Sequence, residues 1–199
     1  MAQFVHPSAE VDAEVSIGVN SKIWHLVHLR ENCSIGDDVI VGRGAFIDTG
    51  VRVGNRSKIQ NFALVYAPAS IGEDVFIGPA VVFTNDKHPR SSNADGTQKT
   101  ASDWDQTGVI VDSGASIGAR SVCVAPCRIG SFALVGAGSV VTHDVPSHAL
   151  VMGVPARQVG WVDKNGERLI QIGDGIWQNS SGTERYVETP TGLVQDLNK

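Results

Sequence analysis

An aliphatic residue returns at every sixth position from Val5 to Phe83: Val5, Val11, Ile17, Ile23, Leu29, Ile35, Val41, Ile47, Val53, Ile59, Val65, Ile71, Ile77 and Phe83. A second series runs through Val111, Ile117, Cys123, Ile129, Val135 and Val141. A six-residue period matches neither an amphipathic helix, which repeats at 3.6 residues, nor a half-buried strand, which repeats at 2. It matches the hexapeptide repeat of a parallel β-helix, an all-β solenoid. Three such rungs close one triangular coil, and each inward aliphatic stacks on its equivalent one coil away at ~4.8 Å. A single coil cannot enclose its own core, so stability must come from stacking. Small or β-branched residues recur four positions after each inward one, as at Ala9, Ser21, Ala45 and Ala63. Glycine is frequent one position after it (Gly18, Gly36, Gly42, Gly54, Gly72, Gly78, Gly118, Gly130, Gly136). These glycines are expected near corners, where their backbone freedom is useful.

The 199 residues suffice for one domain with a sizeable core. A formal net charge of -5 and the lack of a basic run argue against nucleic acid as a partner, and any anionic ligand must be held by local cations. The N-terminal segment lacks the basic and apolar regions of a secretory signal, and no apolar stretch is long enough to span a bilayer. Cys123 takes an inward position, whereas Cys33 and Cys127 take small-residue positions, so all three read as buried, reduced thiols. A cytoplasmic protein is expected.

The repeat breaks between about Thr84 and Gly108, a long polar segment of the kind that carries function or is disordered. It fades again from Asp144 through Pro146 and Pro155. The expected organisation is a β-helix over 1–157, with the loop excursion at about 84–108, and a capping extension over 158–199. The cap should be built of short strands or turns, carry Trp161 and Trp177, and cover the last coil.

An eighteen-residue coil converts sequence into columns. Glu31, Thr49, Ala67 and Asn85 fall in one; Arg30, Asp48, Tyr66 and Thr84 in the next; His25, Arg43, Asn61 and Pro79 in a third. Arg30, Glu31, Tyr66 and Asn85 therefore share one edge, and a groove there is open to lining by a neighbouring subunit. Glu31 lies three coils from Asn85, ~14 Å at the strand spacing, so the two meet at one atom only across a subunit boundary. Among the histidines, His25 and His28 are three apart on different faces, and His143 and His148 fall where the repeat ends. No set has metal-ligand spacing with an orienting partner, and no metal is expected. A Gly-x-Ser-x-Gly elbow, a Walker loop and a Gly-x-Gly-x-x-Gly opening a helix are all missing, which removes most hydrolase, kinase and dehydrogenase readings.

The run Ile23-Trp24-His25-Leu26-Val27-His28-Leu29-Arg30, then Lys58-Ile59-Gln60-Asn61, resembles the hexapeptide-repeat sugar N-acetyltransferases. So do Val75-Phe76-Ile77-Gly78-Pro79, Phe83-Thr84-Asn85-Asp86, Pro89-Arg90 and the ending Val151-Met152-Gly153-Val154-Pro155-Ala156-Arg157. The resemblance covers roughly residues 5 to 165. It is strongest to the branch that acetylates the 3-amino group of UDP-2-acetamido-3-amino-2,3-dideoxyglucuronate in surface polysaccharide and O-antigen synthesis. It implies a left-handed β-helix, a homotrimer with active sites between subunits, acetyl-CoA as donor and a nucleotide-linked amino sugar as acceptor.

By the same resemblance Asn85 hydrogen-bonds the attacking amine. Arg30, Glu31, Gln60, Asn61, Tyr66, Asp86, His88 and Arg90 are the candidates for the sugar nucleotide. Gly136, Ala137, Val154, Pro155 and Arg157 are the candidates for coenzyme A, with Arg157 suited by charge to a phosphate. A thioester is already activated, so orientation supplies much of the rate and one or two N–H donors suffice for the oxyanion. His88 suggests itself as a general base because imidazole exchanges its proton near neutral pH, although its position lies outside the family motif. The proton acceptor is otherwise solvent or the leaving thiolate. Competing readings are acetylation of a dTDP-linked 3-amino-deoxysugar, a metal-dependent hydratase on the same scaffold, and a non-catalytic interaction scaffold.

Overall fold

A computed structural model describes residues 2–100, 102–103 and 105–197; positions 101 and 104 of the expected loop and 198–199 of the expected cap lie outside them. No helix occurs among the described residues. Short parallel strands, most of them two residues long, stack into three sheets that form the sides of a prism. The first sheet has nine strands and starts at Phe4–Val5, the second has seven and starts at Glu10–Val11, and the third has six and starts at Ser16–Ile17. Pairings such as Val5↔Ile23, Val11↔Leu29 and Ile17↔Ile35 show the eighteen-residue coil directly. The coil length and the hexapeptide corners are those of the left-handed β-helix.

The inward aliphatics form the core, and Ile23, Leu29, Ile47, Ile59 and Ile77 have no exposed surface. Each contributes about 1.5–3 kcal/mol by leaving water. The start of the series departs from expectation, because Val5 and Val11 stay 37% and 39% exposed. Their coil has a neighbour on one side only, so half of each inward side chain has nothing to pack against.

The glycines also act differently from expectation. The left-handed backbone sits three residues after each inward aliphatic, not one. Asn20, Leu26, Asn32, Asp38, Arg56, Phe62, Asp74 and Ala80 hold φ between 54° and 61° there. Non-glycine residues pay about 1–2 kcal/mol for this conformation. From Asn32 on, a backbone hydrogen bond to the coil below accompanies each of these turns, as in Phe62 N–H to Arg43 O at 2.9 Å and Ala80 N–H to Asn61 O at 2.9 Å. The glycines one position after the aliphatic answer to a steric limit instead. A Cβ on Gly54 would lie 2.5 Å from the Gly72 carbonyl carbon, so at that corner the coils stack too closely for a side chain.

The small column contains a polar device. The buried Ser57 hydroxyl donates to Gly72 O at 2.9 Å and accepts from Val75 N–H at 3.1 Å, and Ser21 repeats the pattern with Gly36 and Val39. Both hydroxyl roles are filled, so burial carries no desolvation penalty. The three thiols are buried and unpaired, as expected, and burial pushes the Cys33 thiol up to about 11.

The excursion leaves after Phe83 and returns at Val109–Val111, which resumes the third sheet through Ile71↔Val111. Stacking therefore survives the insertion, and Phe83 still pairs with Cys123. The last coil is shorter, with Val135 pairing Val151 across sixteen positions. The chain then folds back as Ala149–Gly153 against Ala156–Trp161 and forms a four-stranded antiparallel sheet from Ile170 to Gln195. This sheet packs on the last coil. Tyr186 and Leu193 are buried, Trp161 meets Trp177 at 6.4 Å, and His148 lies between Phe132 and Tyr186 at 5.2 and 5.1 Å.

Candidate active site

The candidate residues occupy two corners at opposite ends of the second sheet. The corner where the first sheet passes into the second carries His25, Arg43, Gln60, Asn61, Gly136 and Ala137. The corner where the second passes into the third carries Arg30, Glu31, Asp48, Tyr66 and Asn85, with the excursion beside it.

At the second corner the predicted columns hold. Asn85 Nδ2 donates to Ala67 O at 2.9 Å, one coil away, and its own carbonyl accepts from Thr107 N–H at 3.2 Å. The amide orientation is thereby set, and Oδ1 is left without a hydrogen-bond partner among the described residues. Thr49 Oγ1 donates to Glu31 O at 3.0 Å in the same column. Tyr66 is half-buried and packs on Phe46 at 5.4 Å.

Arg30 differs from the free cation that an anionic ligand would require. Its Nε and Nη2 donate to the Glu31 carboxylate at 2.7 and 2.8 Å, with Asp12 at 3.5 Å and Asp48 at 3.6 Å. The hydrogen bond from Arg30 holds the Glu31 carboxyl below its ordinary range, and the same bond raises the Arg30 guanidinium. His28 Nε2 lies 3.2 Å from Asp12. Asp48 also accepts from Thr49 N–H at 2.8 Å and Ala67 N–H at 3.1 Å, a role not anticipated for it. Its place in the column of Arg30 and Tyr66 was the available signal.

The excursion adds a cavity of about 540 Å³ lined by Asp86, Lys87, His88, Lys99, Ser102, Asp103, Asp105 and Thr107. Asp86 Oδ1 accepts from His88 N–H at 2.8 Å and so shapes the turn. The buried Thr107 Oγ1 has no hydrogen-bond partner among the described residues. Arg90 is exposed and donates to Pro89 O at 2.8 Å.

The first corner is separate within the chain. Asn61 Oδ1 accepts from Arg43 N–H at 2.9 Å, and Gln60 precedes it in the same turn. Gly136 N–H donates to Val151 O at 2.8 Å, and a Cβ on Gly136 would stand 2.9 Å from Met152 Cβ. Val154 and Pro155 make the exposed tip of the hairpin beyond this corner, with Val154 72% exposed. Arg157 donates to Ala156 O at 3.0 Å and borders a cavity of about 370 Å³ with His143 and Asp144. His6 and His25 stack at 3.5 Å, and no group of three metal-ligating side chains forms among the described residues.

Residues 5–49 match the family described as bacterial transferase hexapeptide (six repeats), and residues 108–143 match the hexapeptide repeat of succinyl-transferase. The chain thus carries transferase-type hexapeptide repeats on both sides of the excursion. It is 62% identical over 53 residues to the dTDP-3-amino-3,6-dideoxy-alpha-D-galactopyranose 3-N-acetyltransferase of Aneurinibacillus thermoaerophilus, 27% of this chain and 28% of that protein. It is 55% identical over 58 residues to the bifunctional protein GlmU of Thermotoga petrophila, 28% of this chain and 13% of that protein. These alignments span under a third of either relative. PerB from Caulobacter crescentus, solved in complex with CoA and GDP-perosamine, aligns over 80% of this chain and 58% of its own, with a TM-score of 0.50 and 25% identity. The polySia-specific acetyltransferase NeuO shares the fold, at a TM-score of 0.52 and 21% identity over 78% of this chain and 81% of its own.

Proposed function

We propose that the chain is an acyltransferase that moves an acetyl group from acetyl-CoA to the 3-amino group of a nucleotide-linked amino sugar. The observation that carries this reading is the Asn85 amide, whose Nδ2 is committed to Ala67 O while Oδ1 stays available. An amide oxygen so held accepts an N–H of the incoming amine and turns its lone pair toward the thioester carbonyl. The amine attacks, the C–N bond forms, and the C–S bond breaks as the tetrahedral intermediate collapses. Positioning supplies most of the acceleration. Backbone N–H groups serve the oxyanion, and the amine proton passes to solvent or to the departing thiolate. Names of the relatives support the class: one is a 3-N-acetyltransferase of a dTDP-linked 3-amino sugar, and the other was solved with CoA and a GDP-linked sugar.

The active unit in this reading is a homotrimer, because one chain leaves its candidate groups on two corners. The outward column of the second sheet, which joins those corners, begins with Glu10 and His28 and is apolar from there on: Phe46, Leu64, Val82, Val122 and Val140. The third sheet shows Ser16, Ser34, Arg52, Ser70, Ile110 and Arg128, a mostly polar column. Packing second sheets about a threefold axis brings the Gln60, Asn61 and hairpin corner of one copy to the Asn85 corner of the next. Tyr66, Asp86 and His88 then line the acceptor. Gln60, Asn61 and Arg90 reach the nucleotide diphosphate. Gly136, Ala137, Val154, Pro155 and Arg157 follow the coenzyme. The solenoid over 1–157 is the acyltransferase unit and 158–199 its cap, working in the cytoplasm in surface polysaccharide synthesis.

Thiol release from acetyl-CoA, measured against a panel of UDP-, dTDP- and GDP-linked amino sugars, tests the proposal. Acetylated product from at least one 3-amino acceptor is the expected result. A purified protein that neither binds coenzyme A nor acetylates any of them overturns it.

A further inference from the structure

The Asn85 amide offers its oxygen because its nitrogen is occupied by the Ala67 carbonyl, so the direction of that carbonyl matters. Ala67 is held on both sides of its α-carbon. Its N–H donates to Asp48 Oδ2 at 3.1 Å. Beyond its carbonyl comes Pro68, whose φ the ring fixes. Gly108 presses on Pro68 so closely that an added Cβ would overlap the Pro68 carbonyl oxygen. Asp48 is itself fixed, since its Oδ1 accepts from Thr49 N–H at 2.8 Å and Arg30 Nη1 stands 3.6 Å away. Its side chain is only 15% exposed. A second copy of this device lies two coils further along the same corner. There Ala125 N–H donates to Thr84 Oγ1 at 3.0 Å. The corner N–H thus needs an oxygen one coil below it, and a neutral hydroxyl suffices.

We propose that Asp48 is a positioning residue for the acetyl transfer, which keeps the Asn85 amide oxygen toward the amine by holding Ala67 N–H. The inference rests on the reading of the chain as an amino-sugar N-acetyltransferase that uses Asn85. Asp48 acts through Ala67 and Asn85 and does not itself touch the reacting atoms. Without its carboxylate the N–H of Ala67, a residue 4% exposed, would be buried and unpaired. The corner then turns to find another acceptor and carries the Ala67 carbonyl with it. The Asn85 amide is freed to rotate by half a turn. Its NH2 would then take the place of Oδ1 and donate to the amine lone pair, the electron pair that has to attack the thioester.

The test uses the full chain, acetyl-CoA and whichever nucleotide-linked 3-amino sugar of the panel the wild type acetylates fastest. Asp48→Val and Asp48→Thr have the same shape and differ in one oxygen. Asp48→Val should lower kcat about fivefold or more, the factor that one lost hydrogen bond is worth. Asp48→Thr restores an acceptor of the Thr84 kind and should recover most of that loss. The decisive measurement repeats both changes on Asn85→Ala. With no amide left to hold, Asp48→Val should cost no more than about a further twofold. A merely structural role would give losses that multiply. If Asp48→Val does not fold, judged by circular dichroism and light scattering, Asp48→Ala takes its place in the same cycle. Normal turnover without the acceptor, equal turnover of the Val and Thr variants, or losses that multiply overturn the inference and leave the acetyltransferase reading standing. A wild type that acetylates no amino sugar of the panel overturns that reading and the inference with it.

Discussion

Two glycines four residues apart should respond to alanine for different physical reasons. Gly54 lies one position after an inward valine, with an ordinary backbone, and an added Cβ would stand 2.5 Å from Gly72 C and 2.6 Å from both Glu73 N and Gly72 O. All three atoms belong to the backbone of the next coil, so no flexible side chain is there to yield. The coils must part by about 1 Å at that corner, which loosens stacked strands on both sides. Overpacking a rigid contact costs about 1–3 kcal/mol, and a backbone neighbour puts this one at the upper end. Gly50 has φ of +66° and nothing within 4 Å of an added Cβ. Its alanine meets only the left-handed penalty of about 1 kcal/mol. In a chain of this size each kcal/mol moves the melting temperature by about 2–4 °C. Thermal unfolding followed by circular dichroism should therefore show Gly54→Ala about 6–12 °C below the wild type and Gly50→Ala about 2–4 °C below. Equal shifts, or a larger one for Gly50→Ala, would refute the claim that coil spacing rather than dihedral angle demands glycine at position 54.

Asn85→Ala should lower turnover by about tenfold or more, the loss of one positioned transition-state contact, with oligomer mass unchanged. Near-normal turnover would remove Asn85 from the mechanism. Leu64→Glu places a carboxylate in the apolar column of the second sheet and should yield monomers by light scattering, with activity lost; an intact trimer would mean that the subunits pack through another face. His148 gives a pH effect. Burial lowers its imidazole from 6.5, with Lys164 lowering it further and Asp163 and Glu184 opposing. The unfolded chain then binds the proton more readily, so the His148 contribution is complete above pH 6.5 and is lost as pH falls toward the lower folded value. The stability gap between wild type and His148→Phe should accordingly shrink between pH 7.5 and pH 5. A constant gap would indicate that folding leaves the proton affinity of His148 unchanged, against the burial argument.

The period of six was enough to derive the inward residues, the coil length and the stacking of Asn85 over Ala67. A solenoid repeats its local geometry, so counting along the chain is equivalent to measuring along its axis. The count stops at the excursion and starts again beyond it, where stacking restores the register at Val111 and Cys123. Other features depend on atoms that counting does not place. The exposure of Val5 and Val11 is a property of an end, not of a repeat. The purpose of the glycines is visible only as a distance between coils. Gln60 and Asn61 were candidates for the same ligand as Asn85 by resemblance alone, and they lie at another corner, as their separate column in the sequence implies. Arg30 read as a free cation until its fork was found closed on Glu31. Periodicity is enough to specify the prism and its columns, since backbone stacking follows from it. The charge that the site offers is set in the folded molecule, where long side chains choose among neighbours within reach by geometry and electrostatics.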